Sequence, residues 1–252
     1  MKISLIQTDI AWGDAEVNRM RAGQLMRQAP GSDLYVLPEM WSTGFMSAPE
    51  QEPVEPENGP SVQWMREQAQ ALDAAIAGSV AVKAADGSYR NRFYFVKPCG
   101  EVVSYDKHHL FTYSGEDQHY TPGAERVTVE WRGVRFFLQV CYDLRFPIFS
   151  RNTPVEPYDV ALYVASWPVP RIQVWHTLLQ ARALENQCYV CGVNRTGTDP
   201  ACQYNGGTQC IDPYGRVVAA LPEGEEGAVT VELNLEKLQS FRKKFPVLND
   251  RD

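Results

Sequence analysis

Residues 134–147, VRFFLQVCYDLRFP, constrain this chain more than any other stretch. They alternate with period 2 and then stop at a cysteine. Val134, Phe136, Leu138 and Val140 share one face, and Arg135, Phe137, Gln139 and Cys141 the other, which predicts a strand with a thiol at its tip. In a layered α/β protein, active sites lie at such strand ends. A free cysteine is also commonly just a small buried hydrophobe, so the thiol takes its meaning from the rest of the chain.

Residues 2–9 read as a first strand. Asp14 caps a helix reaching about Ala29, with Val17, Met20 and Leu25 near one face, and Pro30-Gly31 ends it. The apolar run 33–37 (DLYVL) predicts a buried strand stopping at Pro38-Glu39. Residues 48–60 read as a Pro/Glu-rich surface loop, and 61–73 as a helix with Val62, Met65, Ala69 and Leu72 on one stripe. Strands follow at 75–83, 91–97 and 101–107, with turn signals at Asp86-Gly87 and Pro98-Cys99-Gly100. His108-His109-Leu110 and a polar, aromatic loop at 111–123 come next. Val127, Val129 and Trp131 alternate before the turn at Arg132-Gly133. After Pro147 a short helix is expected, then a buried strand at 159–165, a helix at 174–186 and a strand at 188–194. A hairpin of 208–211 and 216–220 turns at Asp212-Pro213-Tyr214-Gly215, before a strand at 227–233 and a helix at 236–245. This order predicts one α/β domain with sheets inside and helices outside.

With 252 residues, 44% of them hydrophobic, the chain is long enough for a multilayer core. The net charge of −7, with no block of Lys or Arg, argues against nucleic acid and anionic membrane as partners. An anionic small substrate would need a locally placed arginine. No run approaches the ~20 apolar residues of a spanning helix, and the first residues are too polar for a signal peptide. The expected compartment is the cytoplasm, where the six cysteines would be free thiols. Cys188 and Cys191 have the CxxC spacing of a zinc site. On a strand, however, residues three apart point to opposite faces, which favours packed core thiols.

Three strand ends carry reactive types: Glu39, Lys107 and Cys141. A thiolate is a strong nucleophile once a base takes its proton. A buried glutamate can be that base. An ammonium favours the thiolate and can donate to the oxygen of a tetrahedral intermediate, as can the backbone N–H of Tyr142. Taken singly, a strand-end Lys or Glu is more often solvated.

PEMWSTGF around Glu39, YDKHHLF around Lys107 and VCYDLRFP around Cys141 resemble the three signatures of the nitrilase (carbon–nitrogen hydrolase) superfamily. The resemblance extends to WHTLLQARALENQCYV, NRTG and the DPYG turn, and so covers nearly the whole chain. Among its branches the chain looks most like the omega-amidases, which hydrolyse the terminal amide of 2-oxo-dicarboxylic acid monoamides. The resemblance implies a single domain over 1–252, with a core at about 2–234 and a C-terminal helix and tail at 235–252. It implies a four-layer α-β-β-α sandwich, two mixed sheets face to face with helices outside, paired as a homodimer or larger assembly. It implies no metal and no organic cofactor. Glu39 matches the general base, Lys107 the catalytic lysine, Cys141 the nucleophile and, more loosely, Glu116 a second glutamate that positions substrate or base. Two small departures, Leu144 in the cysteine motif and IFSRN after Pro147, bear on specificity and leave the triad intact.

Arg145 has the planar fork that suits a substrate carboxylate, with Arg171 and Arg195 as alternatives. Trp41, Phe45, Tyr113 and Trp167 are candidate pocket walls. A papain-like Cys–His hydrolase would draw on His108, His109, His119 or His176, none of which lies in a local signature for that class. His108 and His109 more naturally support the loop after Lys107. Other readings are a dimeric scaffold with a dead site, a carbamoyl-amino-acid hydrolase, an aliphatic amidase and a true nitrilase.

Overall fold

The computed structural model describes residues 1–52 and 54–250; Pro53 of the expected 48–60 loop and positions 251 and 252 of the expected tail lie outside them. The first half supplies β1 (Lys2–Gln7), α1 (Ala15–Arg27), β2 (Leu34–Val36), β3 (Glu55–Pro56), α2 (Pro60–Leu72), β4 (Ala75–Lys83), β5 (Tyr89–Val96) and β6 (Val102–Asp106). Then come the one-turn helix α3 (Glu116–His119), β7 (Thr128–Trp131), β8 (Val134–Val140), the one-turn α4 (Pro147–Ser150), β9 (Val160–Ala165), α5 (Ile172–Asn186) and β10 (Tyr189–Asn194). The chain closes with β11 (Thr196–Thr198), β12 (Gln203–Asn205), β13 (Gln209–Ile211), β14 (Val217–Ala220), β15 (Gly227–Glu232) and α6 (Leu235–Lys244).

One sheet runs β15-β1-β2-β4-β5-β6, with β3 paired to β4; the other runs β14-β13-β10-β9-β8-β7. Each is mixed. β1, β2 and β4 are parallel neighbours, as are β8, β9 and β10, while the outer strands are antiparallel.

Period-2 patterning explains why the two sheets stack. Val134, Phe136, Leu138 and Val140 of β8 face the other sheet, where they meet Ile3, Leu5, Leu34, Val36, Phe93 and Phe95. The rings of Phe95 and Phe136 lie 5.6 Å apart across the seam. Phe137, on the opposite face of β8, packs instead with Trp175, Leu179 and Ala183 of α5. The outer face of the first sheet (Ile6, Tyr35, Ile76, Val80) is covered by Ala22 and Met26 of α1 and by Val62, Met65 and Ala69 of α2. Helix, sheet, sheet and helix therefore follow in four layers, as the family resemblance implies. Cys188 belongs to the helix-facing layer and Cys191 to the layer between the sheets, as the strand period requires.

Local chemistry sets the helix ends. Asp14 accepts the Val17 N–H at 3.1 Å and Asn234 accepts the Lys237 N–H at 2.8 Å, each serving as an N-cap. Gly192 lets α5 lie close on β10, since a Cβ there would sit 2.4 Å from Leu179 Cδ1 and 2.7 Å from the Trp175 ring.

Gly192→Ala is expected to destabilise the protein by about 1–3 kcal/mol through overpacking. Adding Leu179→Ala should recover part of that loss, so the double-mutant cycle is non-additive. Urea midpoints of the four proteins check this; simple additivity would place the strain elsewhere.

Candidate active site

Four co-directional strand ends meet at one edge of the sandwich. β2 leads into Glu39, β6 into Lys107, β8 into Cys141 and β9 into Ser166. β6 runs with β2 and β4 because two antiparallel steps separate it from β4. The first sheet thus contributes the carboxylate and the ammonium, and the second the thiol, across the seam between them.

Tight turns aim two of these groups. Cys141 has φ +45° and Met40, next to Glu39, has φ +43°. A non-glycine residue in this left-handed region costs about 1–3 kcal/mol and persists only where its surroundings hold it. Ser79 Oγ on β4 accepts the Met40 N–H at 2.9 Å. Asp143, fully buried, accepts the Val140 N–H at 3.0 Å, the Tyr105 hydroxyl at 2.8 Å and the His109 N–H at 2.9 Å. His109 Nδ1 also lies 2.9 Å from Asp143. One carboxylate thereby ties the cysteine turn to the segment around Lys107. Because the left-handed residue breaks the strand alternation, β8 ends at Val140, and Cys141 begins a 3-10 turn spanning Cys141–Arg145.

The charged cluster is enclosed. Lys107 Nζ donates to Glu39 Oε1 at 3.0 Å and to Glu116 Oε2 at 2.8 Å. Asn91 Nδ2 donates to Glu39 Oε1 at 2.8 Å and to Glu116 Oε1 at 3.1 Å. Ser166 N–H donates to Glu39 Oε2 at 2.8 Å, and Phe111 N–H to Glu116 Oε2 at 2.6 Å. Glu39, Lys107, Glu116 and Asn91 are all buried. The Cys141 thiol faces the Glu39 carboxylate, the Lys107 ammonium and the Ser166 N–H.

Burial pushes the Cys141 thiol pKa well above its ordinary value, and the Glu39 charge adds to this while Lys107 opposes it. Burial works against a charged Lys107, yet Glu116 and Glu39 outweigh it and hold the ammonium above the usual lysine range. Glu116 is raised by burial and by Glu39, with Lys107 pulling the other way. The resting state therefore holds a neutral thiol beside a charged lysine.

Above the cluster opens a cavity of about 710 Å³. Glu39, Lys107 and Cys141 reach it, with Phe45, Tyr113, Tyr142, Arg145, Trp167 and Arg171 on its walls. The Arg145 guanidinium lies over Trp167 at 5.3 Å, and that of Arg171 lies over Phe111 and Tyr113 at 5.3 and 5.8 Å. Neither guanidinium has a carboxylate partner among the described residues.

Two candidates fall elsewhere. Trp41 does not wall the cavity: it is buried in the helix-covered core with its ring 5.1 Å from Trp64. Arg195 is buried and held by the carbonyls of Ile10, Thr196 and Thr198, so its fork serves the fold. None of the four histidines lines the cavity; His108 Nδ1 meets the Gly123 carbonyl and His109 meets Asp143. Trp12, Phe111 and Tyr204 are walls that the sequence reading missed, as it missed Asn91, Asp143 and Ser166. A signal existed for Asp143, an acid two residues past the thiol. None existed for Tyr204, which the unforeseen β11–β12 hairpin carries in.

A thiol facing a buried carboxylate, beside a buried ammonium, is equipped for acyl transfer. Comparison with known proteins places that chemistry in a family. Residues 2–243 match the carbon–nitrogen hydrolase model. The chain is 45% identical to the omega-amidase YafV of Yersinia enterocolitica, over 100% of this chain and 97% of that one. It is 36% identical to the 2-oxoglutaramate amidase of Bacillus subtilis, over 98% and 96%. Among solved structures it superimposes with a TM-score of 0.95 on XC1258 of Xanthomonas campestris, a CN-hydrolase superfamily protein with an arsenic adduct in its active site. The two are 40% identical over 100% of this chain and 97% of that one. The chain belongs to the carbon–nitrogen hydrolase family.

Removing the Glu39 charge removes a cause that raises the thiol pKa. Glu39→Gln is expected to move the pH midpoint of Cys141 alkylation by iodoacetamide down by about one unit or more. In the same variant, amide turnover should fall by about 10²–10⁴-fold. Mass spectrometry of the Cys141 peptide across pH reads the first effect; a midpoint that stays or rises would separate Glu39 from the thiol.

Proposed function

We infer that this chain is an omega-amidase. It hydrolyses the terminal amide of 2-oxo-dicarboxylic acid monoamides, such as 2-oxoglutaramate and 2-oxosuccinamate, to the dicarboxylic 2-oxo acid and ammonia. The observation that carries this reading is one cavity holding a thiol–carboxylate–ammonium cluster at its floor and two unpaired guanidinium groups on its walls. Full-length likeness to two proteins named for this activity supports it.

In the proposed mechanism Glu39 takes the thiol proton and the Cys141 thiolate attacks the amide carbon. An ammonium has three donors. Lys107 Nζ lies within hydrogen-bond distance of Glu39 Oε1 and of both Glu116 oxygens, and the donor on Glu116 Oε1, the longest of the three at 3.1 Å, turns to the developing oxyanion. The Tyr142 N–H joins it from the first turn of the 3-10 segment, where helical N–H groups lack an intrahelical acceptor. The C–N bond breaks, Glu39 returns its proton to the nitrogen, and ammonia leaves a Cys141 thioester. Water then gives a proton to Glu39 and attacks the thioester, which releases the acid and restores the thiol. Glu116 keeps Lys107 charged and in place.

Arg145 holds the substrate carboxylate, with Arg171 beside it, and Trp167 and Tyr142 form the walls. A guanidinium stacked on a ring keeps its edge donors free for a planar carboxylate. The protein acts in the cytoplasm, a placement that rests on six free cysteines. Among the described residues no helix is long and apolar enough to cross a membrane. It works as a homodimer, with exposed Leu184 on α5 and Phe245 after α6 offering an apolar face for helix-to-helix pairing.

An ammonia-release screen tests the substrate. 2-Oxoglutaramate and 2-oxosuccinamate should outpace glutaramate, a carbamoyl amino acid and a simple nitrile. The inference falls if the oxo-acid amides are inert while another class turns over.

Cys141→Ser should lose essentially all turnover. Arg145→Ala should raise KM for the oxo-acid amides about 10–100-fold while sparing kcat, the pattern of lost uniform binding. Steady-state kinetics reads both, and an unchanged KM would move the carboxylate to Arg171.

A further inference from the structure

Asn91 is used by none of the steps above, yet it touches Glu39, Glu116 and Lys107. It lies on β5, between the strands that lead into the lysine and the helix-side core. Its Nδ2 spans both carboxylates, at 2.8 Å to Glu39 Oε1 and 3.1 Å to Glu116 Oε1. Its backbone carbonyl accepts the Lys107 N–H at 2.9 Å. One residue thus fixes the ammonium's backbone and both of its counter-charges.

The orientation of this amide is decided by charge. Turned over, it would set Oδ1 against two carboxylate oxygens. As placed, its two N–H donors serve one carboxylate each, which is all the donors the group has. Oδ1 is then left buried with no hydrogen-bond partner among the described residues. A buried unsatisfied acceptor costs about 1–3 kcal/mol. Such a group in a native core calls for an explanation, and the bridge across the carboxylates supplies one.

We propose that Asn91 is a positioning residue of the amidase site, holding Glu39 and Glu116 ionised and correctly spaced so that Glu39 is free to accept the thiol proton. This rests on the reading of Glu39 as the base. The ionisable groups facing the bridge are Glu39 after β2, Lys107 after β6, Glu116 on α3, Cys141 after β8 and Tyr120 after α3. Tyr120 is held neutral by burial and donates to the Met46 carbonyl. Burial keeps the thiol neutral at rest, and Glu116 and Glu39 keep Lys107 charged. A donor bonded to a carboxylate favours its ionised form. Without Nδ2 the pair binds a proton more readily, and a protonated Glu39 cannot act as base.

The test is the pH profile of kcat/KM for Asn91→Ala, Asn91→Ser and Asn91→Asp in the full-length protein. In Asn91→Ala the acid limb should move up by about one pH unit. In Asn91→Asp it should move further, because a third carboxyl group joins the site. Asn91→Ser keeps a donor on a shorter side chain and should fall between wild type and Asn91→Ala; it carries the test where Asn91→Ala does not fold. On the plateau, kcat should drop at least about tenfold while KM stays within about threefold. A merely structural role would lower the rate equally at all pH values. Acid limbs coincident with wild type in the folded variants would overturn the proposal. The profiles are taken on whichever amide the wild-type protein hydrolyses. Inert oxo-acid amides therefore count against the substrate, and unmoved limbs count against Asn91.

Discussion

The site depends on one ammonium kept away from water. Lys107 is 1% exposed, and both carboxylates that flank it are fully buried. A charge in such a place costs several kcal/mol unless it is paired and its partners are themselves hydrogen-bonded. Two carboxylates against one ammonium leave an excess negative charge. Neutral donors absorb it: the Asn91 amide, the Ser166 N–H and the Phe111 N–H. These come from β5, from the end of β9 in the other sheet and from the loop before α3, so no short segment could assemble the cluster. In the proposed mechanism, moving the thiol proton to Glu39 relocates a charge without creating one. That makes the step feasible in an enclosure where a new charge would be prohibitive.

The fold was legible because the apolar pattern carries two periods without conflict. β8 shows this best: its even-numbered residues built the inter-sheet core and Phe137 the helix-facing one, as alternation requires. The runs at β2 and β9 read as buried strands because no polar residue interrupts them, and both are covered on two sides. What escaped was structure made by few residues. The β11–β12 hairpin pairs only three residues on each strand and has no hydrophobic run to announce it. The left-handed conformation of Cys141 escaped too: the reading stopped the strand at the thiol, but nothing in the alternation signals the sign of φ there.

The cluster was legible only in part, and for a physical reason. Glu39, Lys107 and Cys141 stand at strand ends in distinctive local sequence, but their convergence is a tertiary fact. Asn91 looks like an ordinary polar residue at the start of a strand, and its importance lies in contacts to residues 52 and 25 positions away. Glu116 lies in a polar loop where burial is the last thing composition suggests, yet it is fully enclosed. Trp41 misled in the other direction. An aromatic two residues from a strand-end carboxylate reads as a pocket wall, but the turn at Met40 sends it back into the core.

The arginines show how the cavity divides its work. Arg195 stood as an alternative carboxylate binder, but the carbonyls of Ile10, Thr196 and Thr198 hold it, with the Tyr204 ring beneath. Arg145 and Arg171 lie instead over aromatic faces, contacts that leave their N–H donors free. Whatever binds there meets positive charge already aimed and not yet satisfied. Those rings sit on the loop after Lys107 and the segment after β9, at the cavity mouth. The proton-transfer groups lie below them on strand ends locked by sheet pairing. The two parts meet in the backbone, since the Phe111 and Ser166 N–H groups hold Glu116 and Glu39 while the Phe111 and Trp167 rings lie under the arginines. Side-chain substitutions at the mouth can therefore change which acyl group is welcomed while those N–H donors stay in place.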